Sequence, residues 1–278
     1  MLLHGPGGDA TSLRVGLRPS RRAGGRTLRD PLGHGYASRP LRGFSVNDLA
    51  LHLERILDRL KLAAAVIPGG SSGGFTARRF FIDHAERTRG LALLGPPTML
   101  RGEPEVEKVW ESTLPTLEDP VDQELARTVT QMTMPSSVPE SRVTDLLRQR
   151  LKMSARVLSE PNRGLMEDDS TREFPRIASP TLIMRRDKVA ISSKQARKAM
   201  AVGIPNARFF IYPGAAQNLY SERPERAAAD PAGLVRDVVV GRRRVSWSGY
   251  RDDRPDRPEL GQSSSEGQAG NSAGGCQT

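Results

Sequence analysis

The chain has 278 residues, with 42 Lys and Arg against 32 Asp and Glu, a formal net charge of +10 and one cysteine. That length can bury a full core, whereas a lone Cys276 excludes a disulfide framework and a Cys/His metal site. The basic balance suggests a nucleic-acid partner, but the arginines are spread along the chain, only Arg242-Arg243-Arg244 is dense and aromatics are 5%, so compositional bias explains the charge and no specific nucleic-acid binding is expected.

The first thirty residues carry little apolar patterning. Leu2-Leu3-His4-Gly5-Pro6-Gly7-Gly8 opens the chain, and Arg18-Pro-Ser-Arg-Arg-Ala-Gly-Gly25 lacks the apolar stripe of a packed helix. Gly25-Arg-Thr-Leu-Arg-Asp30 is charged enough to suit a sheet edge or a melted segment rather than an interior strand. A glycine-rich loop, Asp30-Pro-Leu-Gly33-His34-Gly35-Tyr36, precedes a helical stretch over Ser45–His52.

The apolar run Ala63-Ala64-Ala65-Val66-Ile67 reads as a strand, and Gly69-Gly70-Ser71-Ser72-Gly73 behind it fits G-x-S-x-G. That pattern makes a strand-to-helix turn lifting a serine hydroxyl clear of a sheet, and its glycines sit where a Cβ would meet neighbouring backbone. The same five residues also fit a flexible loop. Phe75–His84 follows with apolar residues at helical spacing, as the turn requires. Ser71 is therefore the candidate nucleophile.

Gly90-Leu-Ala-Leu-Leu-Gly95 reads as the next strand. Between Pro97 and Ser179 the pattern turns helical, as in Val106–Trp110 and Val143–Leu151, punctuated by Pro104, Pro115, Pro120, Pro135, Pro139 and Pro161. Trp110, Met132, Met134 and Met153 could line an apolar pocket, although side chains of this kind more often pack in a core. Glu167-Asp168-Asp169 is read as a solvated helix end rather than a metal site, since no histidine is near. Pro180–Met184 and Ala207–Gly214 read as two further strands, and a closing helix from Pro224 is interrupted by Pro231 and Gly233. Beyond Val240 the composition predicts a disordered tail.

In this order the segments resemble the α/β-hydrolase superfamily, in particular small bacterial enzymes with a helical cap, over about Met1 to Val240. The resemblance implies an α/β fold: a hydrolase sheet flanked by helices, formed by residues 1–96 and 180–240, with a helical cap at 97–179 after the family's sixth strand and a tail at 241–278. Leu2–Gly8 is similar to the end of the third family strand and its oxyanion loop. The usual first hairpin is missing, so the chain is expected to be truncated at its amino end, with Gly25–Asp30 as a degraded edge strand.

The same resemblance implies a Ser–acid–His triad, in which histidine takes the serine proton and a carboxylate holds the imidazole in its useful tautomer. Here the acid position aligns with Arg186-Asp187-Lys188-Val189, so Val189 stands where the carboxylate belongs and Asp187 lies two residues early as a substitute. Gln217 stands at the histidine position, and no histidine lies beyond His84. His4 and His34 belong to loops at the same sheet edge, where the family uses them for loop structure. The oxyanion hole would use the Ser72 amide and a second amide at Pro6; proline has none to give, so Gly7 would have to supply it. No carboxylate follows the sixth strand in Gly95-Pro96-Pro97-Thr98 to take over.

The expectation is an ancestral serine hydrolase acting on an ester or related bond, weakly active or inactive, with a small apolar or ester-like ligand, no cofactor and no metal. A non-catalytic small-molecule binder and a decayed or misread gene product remain as alternatives. No secretory leader or membrane span is read from the sequence, so a cytoplasmic location is expected; the oligomeric state is open.

Overall fold

A computed structural model of the chain describes residues 32–34, 37–133, 139–186, 193–212 and 233–234. Helix α1, Val46–Arg59, starts where Ser45 and Asp48 cap each other: the Ser45 hydroxyl accepts from the Asp48 amide and the Asp48 carboxylate accepts from the Ser45 amide, both at 3.1 Å. Its buried face is Val46, Ala50, Leu53 and Leu57, spaced by three and four residues along one side of the helix.

Strand β1, Ala65–Gly70, leads into helix α2, Gly73–Asp83, and back into strand β2, Thr88–Leu94. Strand β3, Thr181–Arg186, helix α7, Lys194–Gly203, and strand β4, Ala207–Tyr212, complete the described sheet, which is parallel throughout in the order β1-β2-β3-β4. Helices against parallel strands bury both faces: Leu91 and Leu93 are buried on one face of β2, and Ala92 and Leu94 on the other. Residues of α1, α2 and α7 join Ile67, Leu91, Leu93, Ile183 and Phe209 in one apolar cluster.

All four strands occur at the apolar runs, with shifted bounds: β2 is Thr88–Leu94, β3 is Thr181–Arg186 and β4 is Ala207–Tyr212. β1 begins at Ala65 and extends through Pro68, Gly69 and Gly70, which the sequence assigns to the turn. Those residues are poor strand formers, but pairing of Pro68, Gly69 and Gly70 with Ala92, Leu93 and Leu94 overrides their propensity.

Between β2 and β3 the chain makes a helical insertion of α3, Pro104–Thr113, α4, Gln123–Thr133, α5, Glu140–Arg150, and α6, Ala155–Glu167, followed by a 3₁₀ segment, Thr171–Arg176. The prolines open helices more than they break them: Pro104 stands in the first turn of α3 and Pro139 caps α5, positions where no intrahelical N–H is needed. Pro161, inside α6, is the exception, and that helix continues past it. α6 lies hard against the start of α1. A Cβ on Gly164 would come 2.7 Å from the Phe44 carbonyl oxygen, and Arg156 donates to the Pro40 carbonyl at 2.7 Å. The expected oxyanion loop, the degraded edge strand and the tail fall outside the described residues.

Candidate active site

Ser71 stands between the last residue of β1 and Ser72, the residue that caps α2. Its φ is +51°, in the left-handed region that a side chain strains to occupy. The turn is held from several directions. The Ser71 amide donates to the Leu94 carbonyl at 2.8 Å, the Gly74 amide donates to the Ser71 carbonyl at 2.9 Å and the Phe75 amide to the Ser72 carbonyl at 3.0 Å. A Cβ on Gly69 would lie 2.5 Å from the Gly73 carbonyl oxygen, and one on Gly74 would lie 3.0 Å from Pro96 Cβ. Gly69 and Gly74 thus let the strand end, the helix start and the segment after β2 pass each other without side chains.

The amide of Ser72 belongs to the N-cap residue of α2, for which the helix itself supplies no acceptor, at the end of the helix that favours negative charge. The Ser72 hydroxyl is buried, has no hydrogen-bond partner among the described residues and makes no capping bond. A nucleophile beside a preformed donor for developing negative charge is the chemistry this turn can support.

The strands end in step. Gly70 pairs with Leu94, Leu94 with Met184 and Met184 with Phe210, and the Gly95 amide donates to the Met184 carbonyl at 2.7 Å. Because the sheet is parallel, the chain leaves β3 and β4 at the same edge at which it turns through Ser71. Asp187 and Val189 follow β3 and Gln217 follows β4; all three, with Gly7 and His4, lie outside the described residues. His34 is buried, with Nδ1 2.9 Å from the Leu32 carbonyl oxygen in its own loop. His84 caps the far end of α2, with its ring 5.0 Å from that of Phe80 and Nδ1 3.3 Å from a Glu54 carboxylate oxygen.

The other sequence candidates resolve into packing and capping. Trp110 packs with Val46, Phe75, Leu100, Val106 and Leu165, and Met153 with Phe44 and Val157; the side chains of Met132 and Met134 are outside the described set. Asp168 accepts from the Ser170 hydroxyl, and Asp169 from the hydroxyl and amide of Thr171. The Thr171 hydroxyl holds the Asp169 carboxyl below its ordinary range. Among the described residues no group of three His, Cys, Asp or Glu side chains could hold a metal ion.

Two residues near the turn are missed by sequence reading. Glu103, buried just before α3, accepts from the Ser193 amide with both carboxylate oxygens at 2.9 Å, tying the entry of the insertion to the cap of α7. Arg78, in the second turn of α2, is fully buried; burial pushes its guanidinium down to about 10, against the attraction of the Asp168 charge. Neither carries a local signal, because a glutamate before a proline and one arginine of an Arg-Arg pair look like surface residues.

Comparison with known proteins adds a family model and relatives. The model described as the alpha/beta hydrolase fold matches residues 27–224. Over 96 residues the chain is 31% identical to the dihydrolipoyllysine-residue acetyltransferase component of the acetoin cleaving system of Cupriavidus necator, covering 34% of this chain and 26% of that protein. Over 102 residues it is 34% identical to 2-hydroxymuconate semialdehyde hydrolase of a Pseudomonas species, covering 34% of this chain and 35% of that one. The chain therefore matches only about a third or less of the length of these curated relatives. In fold it is similar to a thermophilic esterase from Thermogutta terrifontis, with a TM-score of 0.70 and 22% identity, over 85% of this chain and 89% of that one.

Proposed function

Since this chain belongs to the alpha/beta hydrolase fold family, we propose that it derives from a serine hydrolase of ester or related bonds, keeps Ser71 as nucleophile and turns substrate over poorly or not at all. The observation that carries this is the left-handed Ser71 between a parallel strand and a helix. A flexible loop would have no need to hold a serine there. In this reading the Ser71 hydroxyl attacks an acyl carbon, and the Ser72 amide, joined by Gly7, receives the oxyanion. Residues 1–96 and 180–240 form the core, 97–179 act as a cap over the serine and 241–278 are a dispensable tail.

Val189 and Gln217 take the positions of acid and base, leaving Asp187 as the nearest substitute carboxylate. A glutamine cannot accept the serine proton near neutral pH, and removing the triad serine or histidine from a serine protease costs on the order of 10⁶-fold in turnover. A small ester-like ligand is supported by the esterase-like fold and by the hydrolase relative. We assign the protein to the cytoplasm, where a lone Cys276 stays reduced; among the described residues no helix is long and apolar enough to cross a membrane.

The test is labelling with a fluorophosphonate serine probe, with Ser71→Ala as control, alongside hydrolysis of a short-chain aryl ester. Slow Ser71-dependent labelling with ester turnover barely above background is expected. The double change Val189→Asp with Gln217→His should restore Ser71-dependent turnover, and either change alone should do much less, because triad members act as a unit. Efficient wild-type turnover abolished by Ser71→Ala would overturn the degenerate-triad reading.

A further inference from the structure

Arg78 is wholly buried, and a cation taken out of water needs strong partners to stay there. Its partners are main-chain carbonyls and aromatic rings. Nη1 donates to the Pro97 carbonyl at 2.8 Å and Nη2 to the Thr98 carbonyl at 3.0 Å, while Nε has no partner among the described residues. The guanidinium carbon lies 4.5 Å from the centre of the Phe75 ring and 5.3 Å from that of Phe174, within the range of cation–π attraction.

These partners belong to three different stretches. Pro97 and Thr98 are where the chain leaves β2 for the insertion, and Phe174 is where it returns toward β3. Phe75 is in the first turn of α2, just past Ser71, and it packs with Leu100, Val106 and Leu165 of the insertion. The entry segment cannot tie itself down through its own amides at Pro96 and Pro97, which have none. Two successive inward carbonyls match the planar fork of an arginine, whereas a lysine offers its donors from a single nitrogen and has no planar face to lay against a ring.

We propose that Arg78 is a positioning residue that docks the helical insertion onto the helix carrying Ser71, holding the entry with its fork and the exit with its face. The link to Ser71 access rests on the nucleophile reading above; the docking itself does not.

Hydrogen exchange on the full-length chain tests it, comparing wild type with Arg78→Met and Arg78→Lys, together with the rate of fluorophosphonate labelling at Ser71. In Arg78→Met, exchange across α3–α6 should rise about 10-fold or more, the loss expected from charge-assisted hydrogen bonds, while β1, β2 and β3 keep wild-type protection. Labelling should quicken as the insertion lifts from the serine, and Arg78→Lys should fall between the two. Unchanged exchange in α3–α6, an equal rise in sheet and insertion, or failure of both variants to fold would each overturn the proposal. If wild type takes no label while the exchange contrast holds, the nucleophile reading fails and the docking role stands.

Discussion

Around the sheet, one apolar cluster joins four strands to α1, α2 and α7, with Leu57, Ile67, Phe80, Leu91, Leu93, Ile183 and Met200 all fully buried. Among the described residues the insertion contributes to three smaller groups, around Val106 and Leu165, around Val121 and Leu147, and around Met153 and Val157. A shared core makes every strand depend on its neighbours, whereas separate small clusters can open one at a time. The helix that follows Ser71 takes part in the first kind of packing through Ala77, Phe80 and Phe81, and in the second through Phe75.

The largest effect should come from the sheet side. Phe80→Ala should cost about 3–5 kcal/mol, read as a fall in Tm with sheet and insertion unfolding together. A loss confined to α2 would break the contrast. Gly69→Ala should cost on the order of 3 kcal/mol, since its Cβ would meet Gly73 backbone that cannot turn aside; serine labelling should fall with it. Leu147→Ala should cost about 2 kcal/mol, but hydrogen exchange should place that loss in α4–α6 and leave β1–β3 protected. A uniform loss would show that the insertion shares the cooperativity of the sheet.

The smallest effect concerns the ion pairs that join α2 to the exit of the insertion, where Arg79 bonds Asp83 and Glu173, and Glu173 also meets Arg176. The hydrogen bond from Arg79 holds the Glu173 carboxyl below its reference value of 4.5. Its folded pKa is depressed, so the stabilisation is present above pH 4.5 and is lost as pH falls through the folded value. The pair is partly exposed, which limits it to under about 1 kcal/mol. Glu173→Gln should lower Tm slightly at pH 7 and flatten the acid limb of the stability profile.

The strands were legible because runs such as Leu91-Ala92-Leu93-Leu94 are apolar on both faces, as a covered parallel sheet demands. Ser71 was legible because few residue orders satisfy so tight a turn. α4 and α6 were not, since Pro161 reads locally as a break and its tolerance comes from α6 packing against the start of α1. Arg78 and Arg79 show a deeper limit. Neighbours in one helix, they contribute equally to net charge, yet one is buried against carbonyls and rings and the other forms ion pairs at the surface. Which way each side chain faces is decided by the insertion, far along the chain.

The positive φ at Ser71 also filters which mutations the position can accept. Valine, isoleucine and threonine are excluded by their branched Cβ, whereas glycine would relax the turn by about 1 kcal/mol. Asparagine and aspartate are the other residues that tolerate this backbone, and aspartate would present a second kind of nucleophile. A downhill route is therefore open at this codon, through glycine, on which the fold grows more stable as the hydroxyl disappears.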